Sequence, residues 1–143
     1  MKRIPKVSAS PVIKDTRRTV HVIEPNEEEL VFLCDFLTMS GFKVSGSSGQ
    51  ESALEVVGRM QPDVLLCPLQ SSGMSGEEVF IRSRKCSPHT QVLLTSDRIL
   101  DPLPDRIRKS SGVELLRGPY NVVGLLRAVE RLIGRDPEEE SGE

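Results

Sequence analysis

The sequence predicts an α/β domain in which five short parallel strands form one sheet with helices on both faces. Short apolar segments alternate along the chain with segments whose apolar residues recur every three or four positions. Strands that are apolar at successive positions are typical of a parallel sheet that is covered on both sides. At 143 residues the chain is long enough to bury a core of its own as one domain.

The first half of the domain contains two strand–helix pairs. Thr19–Ile23 is apolar and β-branched and is predicted to be a buried strand. Residues 27–40 are predicted to be a helix, because three acids stand in the first turn and Gly41 is placed to end it. A short strand is expected at Phe42–Ser45. A second helix then runs from Ser48 to Met60. The residues expected to face inward on these helices are Leu30, Leu33, Cys34, Leu37, Ala53, Leu54, Val57 and Met60.

The second half repeats this alternation. The predicted strands are Val64–Cys67, Gln91–Thr95 and Val113–Leu116, and the clearer helices are Glu77–Arg84 and Val122–Ile133. In the connection over residues 97–109 two prolines restrict helix to a short segment that begins no earlier than about Pro104. Crossover handedness leaves few topologies, and the flavodoxin-like, doubly wound (βα)5 order 2-1-3-4-5 fits best. Functional residues are then expected in the loops at the carboxyl ends of the strands.

Charge is uneven at the two ends of the chain. We interpret residues 1–18 as a flexible basic arm, residues 19–134 as the domain and residues 135–143 as a disordered acidic tail. Both ends are expected mainly to help solubility, although a basic arm is also able to contact an acidic partner, a nucleic-acid backbone or anionic lipid. The six basic residues of the arm are Lys2, Arg3, Lys6, Lys14, Arg17 and Arg18.

Composition excludes several classes of function. The formal net charge is −2, aromatic residues make up 3% and Trp is absent, which argues against stacking platforms for single-stranded nucleic acid. No apolar run approaches the roughly 20 residues of a membrane span, and no secretory signal is present, so a cytoplasmic protein is expected. The three cysteines form no CxxC pair and the two histidines show no metal-ligand spacing. We therefore predict no cofactor and no metal.

The segment Pro62–Gly76 carries the most specific pattern in the chain. A buried strand runs into a Gly-containing loop and then a helix. This segment closely resembles the phosphorylation segment of response-regulator receiver domains (CheY-like), whose strand ends in an aspartate that accepts phosphate. Here the matching position holds Pro68, which has no carboxylate to attack a phosphoryl donor or to ligate a metal. Ser71 and its neighbours are weak substitutes, because no general base is placed beside them.

Three other regions continue the resemblance, so that it covers about residues 19–134. Where receivers carry a pair of acids, this chain has Glu24 and Pro25, and one carboxylate would hold Mg²⁺ poorly. Thr95 matches the hydroxyl position that meets the phosphoryl group, and we expect it instead to cap or bond nearby backbone. Gly118 stands where the family has a lysine, and the adjacent Arg117 is expected to point to the opposite face.

Two further acids are candidate substitutes for the missing aspartate. Asp63 lies at the start of the third strand, a strand-length from the crevice, and is not expected to contribute. Asp97 follows the fourth strand and is expected near the rim. The nucleophile, the lysine and at least one metal acid are missing, and each supplies a different part of phosphoryl transfer. The resemblance therefore implies a degenerate pseudo-receiver rather than an enzyme.

The function we expect is that of a stand-alone, phosphorylation-independent interaction module in bacterial two-component-type signalling. Its partners would be signalling proteins, or a second copy, docked on the face formed by the fourth helix, fifth strand and fifth helix. A phosphorelay protein with an unusual acceptor and a small-ligand sensor using the vacated crevice are the alternatives, and nucleic-acid binding ranks below them. The expected surface residues, which could equally complete the core, are Ile99, Leu100, Leu103, Arg106 and Tyr120.

Overall fold

The computed structural model describes residues 15–98 and 103–134, in which five strands and four helices alternate. The strands are β1 (Thr19–Ile23), β2 (Lys43–Ser47), β3 (Val64–Pro68), β4 (Gln91–Ser96) and β5 (Val113–Arg117). The helices are α1 (Glu27–Met39), α2 (Gln50–Met60), α3 (Gly76–Cys86) and α4 (Val122–Ile133).

The strands form one parallel sheet in the order β2-β1-β3-β4-β5, as the sequence predicts. Every neighbouring pair runs in the same direction, so the carboxyl ends of all five strands meet at one edge. We call this edge the C-terminal edge and the opposite one the N-terminal edge. The central strand β3 pairs on both sides, with Val64 opposite both Val20 and Gln91. The shared edge is what brings distant parts of the sequence into one site.

Two apolar clusters cover the two faces of the sheet. Alternation along β3 sends Leu66 to one cluster and Leu65 and Cys67 to the other. The first cluster packs under α1 and α4 through residues such as Leu37 and Leu132, and the second includes buried residues of α2 and α3. Helices on both faces explain why the strands are apolar at successive positions.

Capping residues fix where three helices begin at the C-terminal edge. The side chains of Asn26, Ser75 and Asn121 accept hydrogen bonds from the third backbone N–H of α1, α3 and α4 respectively. Gly41 adopts a φ of +107° just after α1, as its predicted role in ending that helix requires. No helix in the described ranges is long and apolar enough to cross a membrane.

Besides shifts of one or two residues at the ends of other elements, three details differ from the sequence-based prediction. The short helix expected from about Pro104 is wrong: residues 105–109 form turns, held by bonds such as Ile107 N–H to the Pro104 carbonyl at 3.1 Å. Met60 does not face inward but is 44% exposed, because it is the last residue of α2 and Gln61 then turns to a φ of +53°. The strand β2 runs to Ser47 rather than Ser45 and begins at Lys43.

The ends of the domain lie partly outside the described residues. Residues 1–14 of the basic arm that was predicted over residues 1–18, and the whole acidic tail predicted over residues 135–143, are outside them. Residues 15–18 contact the domain: the Arg18 carbonyl accepts the N–H of Lys43 at 2.8 Å, and Asp15 lies 3.8 Å from the Lys43 ammonium. The chain therefore enters β1 alongside the start of β2.

Candidate functional site

A crevice of about 650 Å³ opens at the C-terminal edge of the sheet. It is lined by residues that end or follow β1, β3, β4 and β5, as expected for a doubly wound sheet. All five positions singled out from the sequence as a degenerate phosphorylation site line it, namely Glu24, Pro25, Pro68, Thr95 and Gly118. The fold thus places these positions around one space.

The acid on the β1 side is engaged locally. Glu24 follows β1, and its Oε2 accepts the backbone N–H of Asn26 at 3.0 Å. Asn26 caps α1 by accepting the N–H of Glu29 at 2.9 Å. Pro25 separates these two residues and is exposed on the crevice wall. The resemblance implies two acids in this loop. The loop contains one carboxylate, that of Glu24, which is bonded to nearby backbone.

Pro68 is the last residue of β3 and lies in the crevice between the neighbouring strand ends. It pairs with Thr95, and the next N–H, that of Leu69, donates to the Thr95 carbonyl at 2.7 Å. The start of α3 packs directly against this turn: a Cβ on buried Gly76 would lie 2.6 Å from the Pro68 carbonyl oxygen. The backbone at Pro68 is therefore held in place, but the ring it presents carries no nucleophile and no metal ligand.

The loop after β4 leaves room only for glycine at position 118. The Gly118 N–H donates to the Ser96 carbonyl at 2.6 Å, and a Cβ on Gly118 would lie 2.8 Å from the Cα of Asp97. Backbone atoms at that distance leave no room for any side chain without movement of the loop. The Gly118–Pro119 peptide bond is cis. A lysine, which the resemblance implies at this position in working receivers, does not fit here.

The hydroxyl and the acid at the end of β4 have no partners in the described ranges. The Thr95 side chain makes no hydrogen bond there, so the bond to nearby backbone that was expected from the sequence is absent from this part of the chain. Asp97 lies on the crevice wall, as expected, and forms no ion pair with a described residue. Asp63 is at the N-terminal edge, where its carboxylate accepts from the Thr19 N–H and hydroxyl at 2.8 and 3.1 Å.

Several residues that line the crevice are not singled out by any pattern in the sequence. They are Asn26, Glu29, Ser96, Arg98 and Pro119, each within a few residues of a predicted position. The one signal in the sequence that could have identified them as crevice residues is that they lie close to the ends of the strands. Within residues 15–98 and 103–134, no three Asp, Glu, His or Cys side chains lie close enough together to hold a metal ion. The acids of the crevice are spread along its wall rather than converging.

Two buried groups have strongly shifted ionisation. Burial lowers the pKa of His21 to about 4, and both ring nitrogens are bonded, Nδ1 to Ser45 Oγ at 2.7 Å and Nε2 to Ser47 Oγ at 2.8 Å. Burial raises the pKa of the Cys67 thiol to about 12, and a buried neutral thiol of this kind acts as a small apolar side chain. Neither side chain lines the large crevice.

The predicted interaction surface is only partly described. Ile99 and Leu100 lie outside the described residues. Leu103 is half-buried and packs on the second apolar cluster, while Arg106 is exposed and pairs with Glu77 at 3.4 Å. Tyr120 is 42% exposed and lines the crevice. The contact of these residues with a partner remains a prediction.

Comparison with solved structures identifies the fold. A response-regulator receiver domain from Clostridium thermocellum aligns with a TM-score of 0.72 at 22% identity, covering 82% of this chain and 95% of that one. The crystal structure of FixJ-N aligns with a TM-score of 0.73 at 22% identity, covering 85% of this chain and 97% of that one. The Vibrio cholerae chemotaxis protein CheY4 aligns at 0.70 and 18%, over 82% and 99%. The chain therefore has the receiver-domain fold of two-component signalling proteins. No protein-family model and no curated protein matches its sequence.

Proposed function

We propose that this protein is a phosphorylation-independent interaction module built on the receiver fold. It binds a signalling protein through its surface and does not take part in phosphoryl transfer. Two-component signalling and a cytoplasmic location are the setting in which such a module would act. The observation that carries the proposal is the crevice itself, where Pro68 occupies the end of β3 and Gly118 lies against the backbone of Asp97.

The two positions support the proposal in different ways. Pro68 removes the group that would receive phosphate, and a single substitution could in principle restore it. Gly118 is different, because the loop after β4 fills the space where a lysine would extend. The crevice therefore differs in its backbone packing as well as at one side chain from the site that the resemblance implies. A difference of this kind favours a module that does not depend on the reaction.

The first experiment tests for phosphorylation. We expect no acid-labile phosphoryl group by intact mass after incubation with a small phosphodonor and Mg²⁺, and no change of the Thr95 and Gly118 amide resonances on adding beryllofluoride. An active receiver domain in the same tube is the positive control. Stable incorporation, or beryllofluoride held in the crevice near Glu24 and Thr95, would instead support the phosphorelay alternative.

The second experiment tests for the interaction. The full chain is used as bait in an extract of its source cell, without phosphodonor, and is compared with Tyr120→Glu and Arg106→Glu. Both side chains are exposed, so neither change should unfold the domain, which thermal melting will check. We expect the same partner to be captured by the unmodified chain and lost from at least one variant. Capture that requires a phosphodonor would contradict the proposal.

The volume of the crevice favours a small-ligand sensor as the second candidate. At about 650 Å³, with Gln70, Ser71 and Arg98 among its polar lining, it is in the size range of sites that bind small molecules. A panel of nucleotides and small metabolites, read by the melting temperature, separates the candidates. A rise of several degrees that is lost in a variant with Arg98→Ala would favour the sensor.

A further inference from the structure

A narrow slot adjoins the crevice, between α1 and the start of α4. It has a volume of about 180 Å³, and the apolar side chains that line it are Ile23, Phe32, Leu33, Leu66, Val122 and Leu125. Ile23, Leu66 and Leu125 are buried whereas Phe32 is exposed, so the slot has an apolar floor and one open side. An apolar cavity of about 150 Å³ is large enough to bind benzene. The slot is therefore of the size that takes one ring or one branched alkyl group.

Two of the polar side chains that line the slot are bonded within the fold. The thiol of Cys67 donates to the Pro68 carbonyl at 3.3 Å. The side-chain oxygen of Asn121 caps α4 by accepting the Gly124 N–H at 2.9 Å. An apolar group can therefore enter the slot without leaving these groups unsatisfied.

The other polar side chains of the slot also line the crevice, and so mark the boundary between the two spaces. They are Glu24, Glu29, Thr95 and Tyr120. Neither carboxylate forms an ion pair with a residue of the described ranges. The Thr95 hydroxyl makes no hydrogen bond there either. No basic residue among those that the structure describes lines the slot.

These boundary groups favour a positively charged hydrogen-bond donor. An ammonium group has three N–H donors and no acceptor, and carboxylates and a hydroxyl are able to accept from it. Hydrogen bonds between two charged groups are stronger than neutral ones, and the face of a ring such as that of Tyr120 attracts a cation within about 6 Å. An anion would instead be repelled by both carboxylates. A metal ion fits poorly, because no three ligating side chains converge among the described residues.

We propose that the slot and its boundary form a binding site for a small organic amine, whose apolar group fills the slot and whose ammonium group binds the carboxylates of Glu24 and Glu29. The inference gives a ligand class to the small-ligand alternative above. It does not depend on the interaction function, because that function is tested by capture of a protein and this site by titration of the purified chain. Failure of one test leaves the other proposal standing.

Three probes of similar shape separate the contribution of charge from that of the apolar group. Benzylamine carries a ring and an ammonium group, benzyl alcohol replaces the ammonium by a neutral hydroxyl, and benzoate replaces it by a carboxylate. Methylamine carries the charge without the ring. Each is titrated into the full chain at one fixed pH, and the backbone amide resonances are followed.

We expect benzylamine to shift the amide resonances of Leu33, Leu125 and Tyr120 saturably, with a Kd on the order of 1 mM for a ligand of this size. Benzyl alcohol should bind about tenfold more weakly, because it lacks the charge-assisted hydrogen bonds. Benzoate and methylamine should give no saturable shift at these residues.

Glu29→Gln and Glu28→Gln are a matched pair of variants. Both remove one carboxylate from the exposed first turn of α1, but Glu28 lines neither the slot nor the crevice. We expect Glu29→Gln to weaken benzylamine binding about tenfold and Glu28→Gln to weaken it by less than about twofold. Melting temperatures without ligand check that both variants are folded.

The proposal is overturned if benzylamine gives no saturable shift at the slot residues, or if benzyl alcohol or methylamine binds as tightly. Equal losses of affinity in the two variants would overturn it too, because the charge of α1 as a whole would then attract the amine. Shifts confined to Asp97 and Arg98 would place the amine in the open crevice, away from the slot, and would also contradict the proposal.

Discussion

The two edges of the sheet use the same types of side chain in different ways. At the N-terminal edge, Asp63 accepts two hydrogen bonds from Thr19. Thr90 there is buried, and its hydroxyl donates to the Pro62 carbonyl at 2.6 Å. At the C-terminal edge, Asp97 and Thr95 line an open crevice and make no such contacts within the described ranges. The polar side chains at the N-terminal edge are thus hydrogen-bonded within the fold, whereas those at the C-terminal edge face the open crevice.

This difference separates two reasons why a polar residue is kept at the end of a strand. A partnered group contributes to stability, and its loss leaves the other partner unsatisfied. An unpartnered group in a crevice contributes little to stability, so its value lies in what it is able to bind. Part of the C-terminal edge nevertheless contributes to the packing of the fold. Gly76 and Gly118 show that its backbone is packed as tightly as a core.

The largest effect is expected from filling the tight contact at the C-terminal edge. Gly118→Ala places a methyl group 2.8 Å from the Cα of Asp97, and because backbone must move, we expect a loss of about 2 kcal/mol of unfolding free energy. The matched control is Gly124→Ala in α4, where the nearest atom, Asn121 Oδ1, is 3.6 Å away. There alanine should be neutral or stabilise by up to about 1 kcal/mol. If Gly118→Ala and Gly124→Ala have equal unfolding free energies in urea titrations, the loop after β4 can shift at little energetic cost.

A pH dependence is expected from the middle of the sheet rather than from either edge. The folded-state pKa of His21 is lowered to about 4 from an ordinary value of 6.5, so below pH 6.5 the unfolded chain takes up a proton that the folded one does not. Stability should therefore fall between about pH 6.5 and 4, by up to about 3 kcal/mol, and level off below.

Unfolding free energies measured across this range check the expectation, with His21→Gln as the comparison. The variant should show a flatter profile, because the group that titrates is gone. If the unfolding free energy of His21→Gln changes with pH as steeply as that of the unmodified chain, the pH dependence must be assigned to the carboxylates at the two edges instead. An imidazole that titrates near its ordinary pKa in the folded protein would also contradict the assignment.

The two aspartates test the comparison between the edges directly. Asp63→Ala removes the acceptor of the Thr19 N–H and hydroxyl and of the Arg18 guanidinium, 3.6 Å away. We expect a loss of about 2 kcal/mol, since a half-buried donor is left without its partner. Asp97→Ala should change stability by less than about 0.5 kcal/mol, as for other surface positions. A large loss in Asp97→Ala would mean that the crevice acid has a structural role after all.

The order of the elements and the location of the crevice could be predicted from the sequence. Apolar runs such as Val64–Cys67 mark buried parallel strands, and crossover handedness then leaves few possible orders, of which 2-1-3-4-5 fits the alternation best. Because parallel strands share one carboxyl edge, the loops that contain Glu24 and Gly118 could be assigned to one edge from the order of the strands, whereas these two positions were singled out by the resemblance to receiver domains. These predictions rest on local pattern and general topology, which a single sequence contains.

Other features depend on how loops approach one another in space. The contact of Gly118 with Asp97 depends on the path of the loop after β4, which no pattern in either segment specifies. The bonds of His21 to two serines follow from the register of β1 against β2. The turns at residues 105–109 replace the predicted helix, because proline positions limit where a helix begins without requiring that one forms.

The smallest and most closely matched comparison uses the two ends of one strand. Thr90 precedes β4 and Thr95 lies near its end, so threonine-to-valine changes alter the same atoms at opposite edges. Thr90→Val leaves the Pro62 carbonyl and the Ser87 hydroxyl without a partner and should cost about 1–2 kcal/mol. Thr95→Val should lie within about 0.5 kcal/mol of the unmodified chain. If thermal and urea unfolding show equal losses at the two positions, the Thr95 hydroxyl is bonded in solution and the two edges are alike. If only Thr90→Val is affected, the Thr95 hydroxyl contributes little to stability, and the difference between the two edges holds in solution.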